Sequence, residues 1–410
     1  MSSPRRAAFV AVGSELLRTD RLDSNSLLAA RLLQRCGFAL VEKRCVEDDV
    51  AAIASAVREL LTRAELVILS GGLGPTADDV TREGVALALG RGLEQRPELL
   101  AELAARYRAQ GRTMPPVAGR MATVVAGADL LRNPLGTAPG EVVAADGGTV
   151  VLLPGVPSEL EQIFAAHLLP RFAASHGVLV RSLRLAGVYE SPVEQRVSPL
   201  YDRFGRERVT ILGARGQVTL VLTAAGARAE AELEEMEAAF ADAAGTDLFG
   251  RDGDTLAGVV IDRLRERGLT LATAESCTGG LIGGQLTAVP GASDVYVGGA
   301  ITYANELKQR MLGVPAETLA AHGAVSREAA EAMAHGACAL GATCGLAVTG
   351  IAGPTGGSAE KPVGAVHIVA VTPAGVAHAL HRFPGDRVAV REFSASFALD
   401  LLRRQLGAAR

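Results

Sequence analysis

Short apolar runs alternate with helix-length segments over residues 7–110, and glycines stand at the junctions between them. AFVAVG at 7–12 leads into Gly13–Ser14–Glu15. A helix capped by Asp23 or Ser24 runs to about Arg35, where Gly37 ends it. A strand near 38–45, a helix near 50–62 and the strand ELVIL at 65–69 repeat the cycle. The loop Ser70–Gly71–Gly72–Leu73–Gly74–Pro75–Thr76 then opens onto a helix expected from about Asp78. Strands too far apart for hairpins and joined through helices pair in parallel, with helices on both faces, so the pattern predicts a mostly parallel, two-sided α/β sheet. A polar helix near 95–110, two short strands around 141–153 and a helix from Ser158 toward His167 complete a first domain over residues 1–170.

Residues 178–245 change pattern: a strand near 179–187, a helix near 190–200, strands near 207–214 and 217–224, and a Glu/Ala helix over 228–243. That order predicts a small α+β, KH-like middle domain. Gly213–Ala214–Arg215–Gly216 reads as its hairpin turn rather than a nucleic-acid-clamping GxxG loop. A third domain, residues 251–410, returns to α/β alternation. Its landmarks are an amphipathic helix at 255–267, the strand LTLATA at 269–274, the crossing Glu275–Ser276–Cys277–Thr278–Gly279–Gly280, strands near 295–301 and 344–349, a helix near 326–341, two strands near 363–371 and 376–383, and a last helix near 386–406. The expected fold class is α/β: two distinct α/β sandwich domains joined by a small α+β domain.

Composition excludes several function classes. With 49% apolar residues, 21% charged residues and a net charge of −4, the chain is neither disordered nor a basic polyanion binder. Aromatics at 4%, without tryptophan, leave few platforms for stacking single-stranded bases, so nucleic acid is not an expected partner. Five cysteines without a CxxC pair argue against a disulfide framework and for a reducing, cytoplasmic compartment. The N-terminus reads as a first strand rather than a signal peptide, and no apolar run is long enough to span a bilayer.

The chemistry-bearing residues cluster at strand-to-helix junctions. Gly71, Gly72 and Gly74 offer backbone N–H groups to phosphate oxygens, and the nearby Asp78 and Asp79 offer hard oxygen donors for Mg²⁺, although either acid could instead cap the following helix. Glu159 is equally readable as an ordinary first-turn acid. In the third domain Ser276 stands between a strand and a helix, where it is either a helix cap or a nucleophile in need of a base. None of the seven histidines is linked to it by a motif, which leaves Tyr303 and Lys308, five residues apart, as candidate partners.

Five motifs of the first domain come in order: Gly13–Ser14–Glu15–Leu16–Leu17, Asp23–Ser24–Asn25, Gly71 to Asp79, Asn133 to Gly140, and Pro154 to Glu159. In this they resemble the CinA family of competence/damage-inducible proteins, whose N-terminal domain is similar to the molybdopterin-binding fold. That resemblance implies an ADP-ribose pyrophosphatase using a divalent metal, with Asp79 and Asp48 or Asp49 as ligands. Glu275 to Gly280, Pro290 to Ser293, Thr302 to Asn305, His322 to Ser326 and Val348 to Pro354 resemble the family's C-terminal nicotinamide-nucleotide amidohydrolase domain. What this implies is that Ser276, activated by Tyr303 and Lys308 and needing no cofactor, attacks the carboxamide of nicotinamide mononucleotide and releases ammonia. Thr278, Gly279, Gly280, Thr349, Gly350, Gly353, Arg387 and Arg391 would line that substrate. A homodimer in pyridine-nucleotide recycling is the matching family expectation; the rival reading is a non-catalytic nucleotide sensor or a competence or DNA-repair accessory protein.

Overall fold

The computed structural model describes residues 5–172 and 178–407. Contacts divide the chain into two compact units, Met1–Val180 with Ala224–Glu232, and Arg181–Thr223 with Leu233–Arg410.

The first unit is built on a six-stranded sheet in the order β2-β1-β3-β8-β7-β6. Its strands are β1 (Arg5–Val12), β2 (Phe38–Val46), β3 (Leu66–Ser70), β6 (Asp129–Leu131), β7 (Gly140–Ala145) and β8 (Gly148–Leu153), while β4 (Leu93–Gln95) and β5 (Thr123–Val125) pair separately. Neighbours among β2, β1, β3 and β8 run parallel; β7 and β6 are antiparallel additions. Alternate β1 residues feed two cores. Ala8, Val10 and Val12 pack with the helix Val50–Leu61 on one face, and Ala7, Phe9 and Ala11 with the helix Asn25–Arg35 on the other. Both faces are therefore covered, as a parallel sheet requires.

The helix expected from Asp78 begins instead at Thr81. Asp79 turns its carboxylate back to accept from Thr76 N at 2.8 Å, so residues 76–79 close a turn and neither acid caps the helix. The short strands β4, β5 and β6 were not foreseen, since three residues carry no readable period.

The second unit holds two sheets. In the small one, β9 (Val178–Ala186), β10 (Val209–Ala214), β11 (Gln217–Ala225) and β12 (Leu248–Arg251) lie in the order β10-β11-β9-β12. Arg215–Gly216 makes the two-residue turn between β10 and β11, with Gly216 at φ +80°. The strand β12 was missed because its Gly250 reads as part of a linker.

The larger sheet consists of β13 (Leu271–Glu275), β14 (Tyr296–Ile301), β15 (Cys344–Gly350), β16 (Ala365–Thr372) and β17 (Gly375–Arg382), ordered β14-β13-β15-β16-β17. The first three are parallel and the last two antiparallel. Leu271, Leu346, Val348, Val366 and Ile368 pack against the helices Leu256–Glu266 and Arg387–Gly407, and Ala272, Ala274, Ala347 and Val369 against Arg327–Cys338. A helix at Ala316–His322, also unforeseen, completes this layer. Among the described residues no helix is long and apolar enough to cross a membrane.

The last helix carries the middle sheet as well. Arg403 donates to the carbonyls of Thr246 and Leu248 and pairs with buried Asp400; Arg404 reaches Asp247 at 2.7 Å. Tyr189 packs on Phe393 and Phe397.

Candidate functional sites

Both candidate sites sit at the C-terminal ends of parallel strands, where open α/β sheets leave a crevice. Ser276 directly follows β13, Thr302–Tyr303 follows β14, and Thr349–Gly350 closes β15.

Glu275 decides what Ser276 is free to do. Its buried carboxylate accepts from Gly280 N (2.9 Å), Ile282 N (3.2 Å) and Gly283 N (2.8 Å), satisfying the exposed amides at the start of the helix Leu281–Thr287. A helix start so satisfied has no need of a serine cap. The Ser276 hydroxyl faces Lys308 instead, with Nζ 3.2 Å away. Lys308 is 1% exposed although it lies on a helix, Asn305–Leu312. Its amine also donates to Thr302 O (2.6 Å) and Tyr303 O (3.4 Å), and no carboxylate among the described residues pairs with it. Burial pushes it below the usual lysine range. A neutral amine has two N–H donors and one lone pair; the two carbonyls take the donors and leave the lone pair toward Ser276.

Tyr303 is placed differently from Lys308. The residue is 60% exposed, and its hydroxyl accepts from Arg387 Nη2 at 2.8 Å rather than meeting Ser276; only its backbone carbonyl touches the amine. Arg387 also donates to Gly353 O, and Arg391 to Thr278 O, so the two arginines at the start of the last helix reach the residues expected around a substrate. Gly279 and Gly280 have φ of +61° and +94°, which a side chain would resist. The amides of Cys277 and Thr278 have no acceptor among the described residues. Thr349 is committed to Ala324 O, and a Cβ at Gly350 would strike β16. The neighbouring Cys277 thiol is pushed up to about 11 by burial, too high for a thiolate nucleophile near neutral pH.

In the first unit, a cleft of about 600 Å³ opens at the ends of β1, β3 and β8. Gly71, Gly72, Gly74, Asp48, Asp79 and Glu159 all line it, together with Glu15, Asp23 and Asp78; Arg21 is the one cation among its lining residues. Asp48 accepts from Ser14 N at 2.7 Å, and Glu159 from Asn133 Nδ2 at 2.7 Å. Asp49 is absent from the lining and caps the helix Val50–Leu61 by accepting from Ala52 N, so of the two alternatives Asp48 is the one at the cleft. No three His, Cys, Asp or Glu side chains gather closely enough to hold an ion by themselves among the described residues.

Sequence reasoning passed over several structural supports. Asn25 bridges Ser70 Oγ and Gly155 O, tying two cleft loops together, and Arg106 holds the carbonyls of Asn133 and Gly136. Glu275 had a readable signal, an acid one residue before the candidate nucleophile at a strand end. Arg106 had none, lying some thirty residues from its partners on a helix that looks merely polar.

Residues 8–174 match the probable molybdopterin binding domain, residues 180–250 the damage-inducible protein CinA KH domain, and residues 253–406 the CinA C-terminal domain. The chain is 42% identical over 408 residues to a CinA-like protein of Solibacter usitatus, covering 98% of each. With a CinA-like protein of Frankia casuarinae it shares 44% over 417 residues, covering 98% of this chain and 96% of the other. A competence/damage-inducible protein of known crystal structure from Agrobacterium tumefaciens is 48% identical, covering 37% of this chain and 93% of that one at a TM-score of 0.36.

Proposed function

The chain belongs to the CinA family, and from that premise we propose that its C-terminal domain hydrolyses the carboxamide of nicotinamide mononucleotide to nicotinate mononucleotide and ammonia. The reading rests on one contact, the buried and uncompensated Lys308 amine beside the Ser276 hydroxyl. Lys308 takes the hydroxyl proton as Ser276 Oγ attacks the amide carbon. The amides of Cys277 and Thr278 are placed to donate to the developing oxyanion. The proton then passes from the Lys308 ammonium to the departing nitrogen, ammonia leaves, and water, deprotonated by the same amine, releases the acid from the acyl-serine. Arg387 and Arg391 would neutralise the substrate's phosphate, and Tyr303 would border the ring through the hydroxyl that Arg387 holds. Ammonia release from nicotinamide mononucleotide tests the reading directly: the wild-type protein turns over, and Ser276→Ala binds the nucleotide without releasing ammonia. A serine variant that keeps wild-type turnover would sink it.

The acid-lined cleft favours a second activity, metal-dependent cleavage of the pyrophosphate of ADP-ribose in the first unit. Its donors are hard carboxylate oxygens, and no three of them form a cage of their own. Mg²⁺ fits such a setting, since it is commonly held by one or two carboxylates together with substrate phosphates. Asp79 and Asp48 would hold it together with the substrate's own phosphate oxygens, Glu159 staying tied to Asn133 at the cleft wall, and when bound it would supply charge neutralisation to the pyrophosphate. For the middle domain a structural part is the better reading. Its Gly213–Gly216 turn lies against the last helix, where Arg215 pairs with Glu392 at 2.6 Å and a Cβ on Gly216 would meet Phe397. A homodimer remains part of the proposal, to be read from sedimentation of the full chain.

A further inference from the structure

Beneath the glycine loop of the first unit lies a buried ion pair that the proposed chemistry has not used. Arg82 Nε donates to Glu141 Oε1 at 2.6 Å, with the two side chains 5% and 0% exposed. Glu141 spends its other oxygen on Val125 N at 2.9 Å. Burial raises the Glu141 carboxyl above its ordinary range even beside the guanidinium, so a pair kept here for stability alone would be a poor investment.

What the pair holds is the loop. Arg82 Nη1 donates to Leu73 O at 2.9 Å, and its neighbour Thr81 donates through Oγ1 to Gly71 O at 2.8 Å and through N to Gly72 O at 3.2 Å. Three consecutive carbonyls are thus turned toward the first turn of one helix. In a trans peptide the C=O of one residue and the N–H of the next point in opposite directions. Fixing the carbonyls of residues 71–73 therefore turns the N–H groups of Gly72, Leu73 and Gly74 the other way. None of those three amides has an acceptor among the described residues, and all three residues line the cleft. The required backbone admits only glycine at two positions: a Cβ on Gly71 (φ +105°) would lie 2.2 Å from Val12 O, and one on Gly72 (φ +63°) 2.3 Å from Thr81 Oγ1. Successive amides exposed in this way make an anion-binding concavity.

We infer that Arg82, anchored by Glu141, is a positioning residue that holds the amides of Gly72, Leu73 and Gly74 toward the cleft as a cradle for the phosphate oxygens of a pyrophosphate-containing ligand. The inference rests on the phosphate-binding reading of that cleft. Arg82 touches no ligand and acts through the Leu73 carbonyl.

The test uses the full chain with Mg²⁺ and two probes, ADP-ribose and inorganic pyrophosphate, titrated calorimetrically beside a thermal melt of each variant. Arg82→Met should weaken both probes by about tenfold or more, and should also lower the melting temperature by stranding the Glu141 charge. Adding Glu141→Gln to Arg82→Met removes that stranded charge while still accepting from Val125 N. The double variant should recover much of the melting temperature but none of the affinity, whereas a merely structural role predicts recovery of both. Arg82→Lys is the second arm. Its single ammonium stays opposite Glu141 but cannot serve the carboxylate and the Leu73 carbonyl together as a guanidinium fork does, so it too should bind weakly in a stable protein. Wild-type affinity in either the double variant or Arg82→Lys overturns the inference and leaves the cleft reading standing. A wild-type protein that binds neither probe overturns both.

Discussion

Lys308 shows what a single burial does to a side chain that sequence would leave in water. A lysine on an eight-residue helix with polar neighbours is ordinarily solvated, yet here its amine is enclosed with two carbonyls and a hydroxyl. Desolvation depresses the folded-state pKa below the ordinary 10.5. Between the depressed value and the ordinary one the unfolded chain binds more protons than the folded chain, so this group's contribution to stability rises with pH across that window and is a penalty below it. Lys308→Met removes the penalty at similar volume. The expected variant is inactive in ammonia release yet melts no lower than wild type near neutral pH, and the wild-type acid limb of kcat/KM, set by this amine, lies below the ordinary lysine range. A limb at the free-lysine value, or an active Lys308→Met protein, would remove the amine from the mechanism.

Elements were legible wherever hydrophobic period and glycine punctuation agreed. β1, β2, β3, β13 and β15 and the helix Val50–Leu61 fall within a residue or two of their expected places because each is bounded by glycine, a capping acid or a change of period. Legibility failed where one particular hydrogen bond or pairing, rather than a period, decides the structure. Asp79 turned back to Thr76 and delayed its helix, β12 exists only by pairing with β9, and the three-residue strands have no period at all. The sites follow the same rule. Ser276 and Lys308 could be nominated from strand-end context and motif, whereas the support given by Glu275 and the exposure of Tyr303 depend on folded neighbours. Glu275 carries its own prediction: Glu275→Ala strands three amide donors at the start of the helix Leu281–Thr287 and should cost about 2–4 kcal/mol by denaturant melts. Turnover should fall with stability, because the Ser276–Gly280 crossing loses its tie. A loss below about 0.5 kcal/mol would show water replacing the carboxylate without difficulty.

At the scale of the molecule, the two proposed chemistries use different residues in different compact units. Asp79→Asn keeps the shape of the side chain and an acceptor for Thr76 N while removing its charge; it should suppress metal-dependent ADP-ribose hydrolysis and leave ammonia release untouched, and Ser276→Ala should do the converse. Loss of both activities in either variant, measured on the same preparation, would contradict this independence. Within the second unit such independence stops. Arg387 and Arg391 open the last helix beside Ser276 and Lys308, at the proposed amidohydrolase site, while Asp400, Arg403 and Arg404 lock its far end to the middle sheet. Anyone wishing to excise the C-terminal domain from this chain would therefore not be cutting at a linker. The scissors would pass through a wired junction, leaving Arg403 without the carbonyls of Thr246 and Leu248, Arg404 without the Asp247 carboxylate, and an aromatic face, Phe393 with Phe397, bared where Tyr189 had covered it. The excised domain would have to have that face covered again rather than made polar, because Phe393 and Phe397 also pack on Phe383 in the core behind it.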